Sequence, residues 1–266
     1  WFRGMSIKYG PDGGVYISDW HDFGECHDSD GSHRTSGRIY KVVYGKPKAA
    51  TTDLQKLTAA ELAELHLHRN EWFSRHARRI LHERSIRGQD VSKAIAALRK
   101  VVQTAKDEPN RLRALWTLAI VGAIDESELV GLLKHDSQHV RRWAIQFLVD
   151  RQKPQPESLS QLAKLARTEP SPKVRLALAS ALQRVRPESR WAIASGLVLH
   201  ADDDTDPYIP LMIWYGIEPL VPRDTEAALK LATQSRLSVL RNLIVRRAID
   251  TTEPPIAKVV NTVSLQ

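Results

Sequence analysis

Residues 136–150 read DSQHVRRWAIQFLVD. Val140, Ala144, Phe147 and Leu148 fall at i, i+4, i+7 and i+8, the spacing that lines one face of a helix. Asp136 stands where it can cap the helix start, and Arg141 and Arg142 flank the stripe. One such helix cannot bury its apolar face alone, so it requires neighbours of the same kind. The same spacing recurs from Phe73, Leu112, Val174, Ile209 and Leu240. With Val140 in its place, the intervals are 39, 28, 34, 35 and 31 residues.

These intervals lie in the range of helix-pair repeats. The pattern resembles the HEAT repeat family, in which each unit is two antiparallel helices and the units stack into a solenoid. The expected helices are Val91–Ala105, Asn110–Val121, Ser127–Lys134, Gln138–Val149, Glu157–Ala166 and Lys173–Val185, with another pair opening at Pro187 and a last clear helix at Leu237–Ile249. Prolines 154, 156, 170, 172 and 187 fall at helix borders, where a missing N–H costs nothing. Thr58-Ala59-Ala60-Glu61 is a capping-box pattern that opens the helical region. Arg113, Arg141, Arg175 and Arg241 each follow the first apolar position of a helix. They are expected to form a ladder of ion pairs between stacked repeats, with Asp107, Asp136 and Glu169 as available acids.

Ahead of the helices, RGMSIKY (3–9), GVYISDW (14–20) and RIYKVVY (38–44) have strand composition, and Pro11-Asp12-Gly13 supplies turn chemistry. The expectation is three antiparallel strands with an exposed apolar face. The sequence GPDGGVYISDW…GRIYKVVYG is similar to the blade motif of glucose/sorbosone dehydrogenase-like β-propellers. The stretch Gly45–Thr52 (GKPKAATT) has linker composition, and the expected organisation is a terminal propeller blade at 1–48, a linker at 49–57, and a HEAT-like α-solenoid at 58–266. The fold class is therefore mainly α. The chain opens on Trp-Phe-Arg and reads as an excerpt from a longer polypeptide.

The densest chemistry lies between the second and third strands, in HDFGECHDSDGSHRTS (21–36). His21, Cys26, His27 and His33 are candidate ligands for zinc or iron, with Asp22 and Glu25 orienting imidazoles from behind; carboxylates alone would suit calcium. No standard ligand spacing is matched, and the alternative is a polar rim loop. His66 and His68, two apart on a helix, cannot serve one metal. Asp202, Asp204 and Asp206 alternate as in an EF-hand, but Pro207 and Ile213 stand where Gly and Glu are required, which excludes that motif. Asp206-Pro207 reads instead as a helix start, and Trp214-Tyr215 as core.

The chain has 266 residues, with 42% hydrophobic and 26% charged residues, as a globular protein should. A single cysteine excludes a disulfide framework and a CxxCH haem-attachment motif. No apolar run is long enough to span a bilayer. The net charge of +8 is uneven: residues 1–48 hold 7 basic against 6 acidic side chains, and the helical region holds the excess. Such a surplus permits nucleic-acid binding, but net charge is weak evidence for it, and a solvated, Arg-flanked solenoid is the favoured reading.

GPDGGVYISDW…HRTSGRIYKV, NEWFSRHARRILHER (70–84) and DPYIPLMIWYGIEPLV (206–221) together resemble the propeller-to-HEAT segment of the planctomycete-type putative membrane-bound dehydrogenase family. That resemblance implies an exported or periplasmic parent with oxidoreductase or electron-transfer activity. It also implies haem c, and a quinone or calcium, bound by the parent. The solenoid is then a structural and protein-interaction module that docks other domains or a partner. Cofactor binding by the 21–33 loop and nucleic-acid binding by the basic face are the competing readings.

Overall fold

In the computed structural model, which describes residues 2–20, 37–46, 53–150 and 154–250, three strands come first. They are β1 (Gly4–Tyr9), β2 (Val15–Asp19) and β3 (Arg38–Val42), antiparallel in the order β1-β2-β3. The β1–β2 turn is closed by Gly13, whose φ of 79° suits glycine because it has no Cβ. The register puts Ile7, Ile17 and Tyr40 in one row and Tyr9, Val15 and Val42 in another. Side chains alternate along a strand, so both rows share one face. That face is largely open, with Ile7 71% and Val42 56% exposed. An exposed apolar sheet face was the expectation.

Two compact units divide the chain, residues 1–123 and 124–266. After the sheet, the first contains α1 (Ala59–Glu64), α2 (Glu71–Ile86), α3 (Ser92–Thr104) and α4 (Glu108–Ile120). Thr58 and Glu61 form the reciprocal capping box at α1. α3 packs on α1 and α4, and α2 on α1 and α4. The second unit contains α5 (Glu126–Leu132), α6 (Gln138–Asp150), α7 (Pro156–Thr168), α8 (Pro172–Ala181), α9 (Pro187–Leu197), α10 (Ile209–Ile217), α11 (Thr225–Gln234) and α12 (Ser238–Ile249). Here α5, α7, α9 and α11 pack in sequence as one layer, and α6, α8, α10 and α12 as the other. The prolines at 156, 172 and 187 each open a helix. α7 and α9 approach closely at Gly196, where a Cβ would come within 2.7 Å of the Arg167 nitrogen.

The apolar stripe holds in the second unit. Val140, Val174, Ile209 and Leu240 are each buried, as are Ala144, Leu178, Ile213 and Ile244 four residues on. Within α6, Leu148 is buried but Phe147 is only half-buried, and Ile145 and Val149 complete the core. The first unit departs from the expected register. Phe73 and Leu112 are half-buried, and α2 and α4 instead bury Ala77, Ile80 and Leu81, and Ala114, Leu115 and Leu118. Asp136 does not cap α6, because the helix begins at Gln138. The adjacent Ser137 hydroxyl accepts the Val140 N–H at 3.3 Å.

Candidate interaction surface

Arg141 donates Nη1 to the carbonyls of His135 and Asp136, and grips Glu169 through Nε (2.9 Å) and Nη2 (2.6 Å). Arg175 repeats this one helix pair later. Its Nη1 bonds the carbonyls of Glu169 and Pro170, and its Nε and Nη2 hold Asp203, both at 2.6 Å. Each guanidinium thus ties the last carbonyls of its own turn to the carboxylate of the next turn, a planar fork matched to two oxygens. Arg113 pairs instead with Glu71, 3.0 Å away, and with the His66 and His68 carbonyls. The expected ladder is present, but its acids differ from those expected. Glu169 takes part; Asp107 caps α4, and Asp136 offers only its carbonyl. Glu71 and Asp203 come from loops and helix starts that spacing alone did not single out. At α10 Pro210 stands where the arginine would be, and Arg241 reaches the Ser235 carbonyl.

Three of the four aspartates in the run 202–206 are engaged within the fold. Asp203 is buried against Arg175, and Asp204 accepts both the amide and the hydroxyl of Ser238. Asp206 accepts the N–H groups of Tyr208 and Ile209, the helix start its sequence suggested.

In the first unit His66 is fully buried. Its Nδ1 faces the carbonyls of Leu62 and Ala63 at 3.2 and 3.1 Å, and its Nε2 lies 2.7 Å from Thr117 Oγ1. Carbonyls only accept, so Nδ1 carries a ring proton, while the Thr117 hydroxyl that lies against Nε2 also has the Arg113 carbonyl as an acceptor 2.9 Å away. Burial, with Arg78 and Arg113 nearby, pushes its pKa down to about 4. His66 is a neutral structural group. His68 Nδ1 accepts the Asn70 N–H, so the two histidines serve different bonds.

A polar joint ties the sheet to α2. Asn70 donates to the Gly10 carbonyl at 2.9 Å while capping Trp72 N–H, and Tyr9 donates its hydroxyl to Glu71 at 3.3 Å. Glu71 also bonds Arg113 and Arg75, and the Arg113 bond does most to hold its carboxyl below the usual range.

The remaining open surface with repeated chemistry belongs to α6, α8, α10 and α12. Count from the buried residues Val140, Val174, Ile209 and Leu240. Two positions on stand Arg142, Leu176, Leu211 and Asn242; three on, Trp143, Ala177, Met212 and Leu243; six on, Gln146, Ser180, Tyr215 and Arg246. All twelve are half-buried or exposed. The result is an apolar band across four neighbouring helices with Arg142 at one end and Arg246 at the other. Arg142 lies over the Trp143 ring, 5.7 Å from its centroid, and Trp143 contacts Phe147. Tyr215, expected as core, is 50% exposed, because its position on α10 faces away from the buried Ile213 and Ile217.

The candidate ligands His21, Cys26, His27 and His33, with Asp22 and Glu25, lie outside the described residues. Among the described residues no cluster of His, Cys, Asp and Glu could hold a metal ion, so none fits the calcium implied by resemblance. Haem c does not fit either: Cys26 is the sole cysteine, and no CxxCH occurs. No described helix is long and apolar enough to cross a membrane.

Residues 95–183, which run from α3 into the turn after α8, match the family model for HEAT repeats. Among solved structures, an engineered protein is similar at 20% identity over 78% of this chain and 96% of its own, with a TM-score of 0.43. A designed armadillo repeat protein in complex with a (KR)4 peptide is 18% identical over 78% of this chain and 98% of its own, with a TM-score of 0.44. A second designed armadillo repeat protein is 16% identical over the same shares, also at 0.44. No curated protein matches. The fold is a mainly helical HEAT-like solenoid preceded by a three-stranded antiparallel sheet.

Proposed function

We propose that the helical repeats are a protein-docking module, and that the band across α6, α8, α10 and α12 receives the partner. The band carries this reading. Adjacent packed helices lie about 8–10 Å apart, close to three residues of extended chain at about 3.3 Å each. An extended segment laid across the four helices can therefore place one side chain per helix against Trp143, Ala177, Met212 and Leu243. The ladder arginines do not compete for this role, because Arg113, Arg141 and Arg175 are engaged by carboxylates inside the fold. The same engagement favours protein docking over nucleic-acid binding, since these cations are not available to phosphates.

The larger setting we propose is an exported redox polypeptide in which the β1–β3 sheet is the last blade of a propeller. What supports it is the sequence resemblance and the open apolar face of Ile7, Tyr40 and Val42, a surface suited to stacking on a further sheet. The test of docking is selection of a displayed peptide library on the immobilised chain and on Ala177→Arg, which plants a bulky charge at the middle of the band. Peptides enriched on the wild type and lost on the variant are expected. Equal enrichment on both, or none on either, refutes the reading.

A further inference from the structure

The band ends at α12 in an open groove of about 540 Å³, lined by Trp214, Leu243, Arg246, Arg247, Ile249 and Asp250. Trp214, Leu243 and Ile249 make its surface apolar, and Ile249 is 52% exposed. The volume is within the usual range of ligand sites, about 300–1,000 Å³. The two arginines differ in their commitments. Arg247 is held by Glu218 at 2.9 Å and by Asp250, the one carboxylate lining the groove, at 3.2 Å. Arg246 is exposed, and no described carboxylate bonds to it. The groove therefore combines an apolar floor with one unneutralised guanidinium at its edge.

We propose that this groove anchors the end of the docked segment, by taking a bulky apolar side chain whose neighbouring acidic residue pairs with Arg246. The proposal rests on the docking reading and adds the partner's chemistry: an acidic, extended stretch of polypeptide with an embedded aromatic or large aliphatic residue. Two features point to a polypeptide. Leu243 and Arg246 belong both to the groove and to the rows that cross the four helices, so one extended chain can run along the band and end here. A carboxylate beside Arg246 gains a charge-assisted bond, whereas a lysine there meets like charge and is rejected.

The probe is the peptide acetyl-Glu-Glu-Phe-Glu-Glu-amide, fluorescently labelled and read by anisotropy against the full chain. The controls are the same peptide with Ala for Phe, and with Lys for every Glu. The expected result is saturable binding of the Glu/Phe peptide. Arg246→Glu should weaken it at least tenfold and Arg246→Gln several-fold, and both control peptides should bind far more weakly. Arg246 is exposed, so both variants should keep the wild-type circular dichroism. Binding unchanged in Arg246→Glu, equal binding of the lysine peptide, or no binding to the wild type overturns the proposal. Library peptides that depend on Ala177 but ignore Arg246 would overturn this inference alone; loss of all Ala177-dependent enrichment would overturn the docking reading beneath it.

Discussion

Protonation of His66 should destabilise the first unit from within. The unfolded chain binds a proton at this imidazole with a pKa of 6.5, whereas the folded protein does so only at about 4. Because the folded value is depressed, the associated stability is fully present above pH 6.5. It is lost as pH falls through that value toward 4. Each unit of difference is worth about 1.4 kcal/mol, so the full loss is about 3 kcal/mol, of which about 2 kcal/mol is gone by pH 5. The cause is burial, which penalises the charged ring, reinforced by the positive charges of Arg78 and Arg113. The chain holds ten histidines, so the wild-type pH profile alone does not isolate one of them. Urea unfolding of wild type and His66→Gln at pH 8, 6 and 5 does, because the other nine cancel in the difference. The gap between the two proteins should close by about 2 kcal/mol between pH 8 and 5. Parallel profiles, or a His66 ring resonance titrating near 6.5, would refute the argument.

Three further outcomes are expected. Asp203→Asn should cost about 3–5 kcal/mol in denaturant unfolding, because it leaves Arg175 charged and buried without its carboxylate; a loss under 1 kcal/mol would mean the rung is solvated. Leu148→Ala should cost about 2–5 kcal/mol, since the side chain is buried in the α6 core; a much smaller loss would place it outside that core. The reading of the 21–33 loop as a metal site predicts that elemental analysis after zinc loading finds bound metal in the wild type, and less in Cys26→Ser and His33→Ala. Equal content in all three refutes it.

Periodicity made the second unit legible before any coordinates. Val140, Val174, Ile209 and Leu240 are buried because each starts a helix whose apolar face has one possible destination, the neighbouring pair. Local chemistry made the cap at Thr58 and the turn at Asp206 legible for the same reason: donor and acceptor lie within three residues. The first unit was harder. Phe73 and Leu112 fit the template, yet α2 and α4 turn other faces inward, because Arg113 is drawn to Glu71 and His66 fills core volume against Thr117.

What the sequence by itself determined is the class of the protein: helix pairs, their borders, and a three-stranded sheet with one apolar face. These follow from periods of 3.6 and 2 residues and from where proline and glycine are tolerated. Tertiary structure alone decided the partners. Arg141 with Glu169, Arg175 with Asp203, Asn70 with the Gly10 carbonyl, and the groove between α10 and α12 join residues from about 28 to 60 positions apart. Such pairings depend on how helices stack and rotate, a property of shape complementarity between faces that no spacing along one helix encodes.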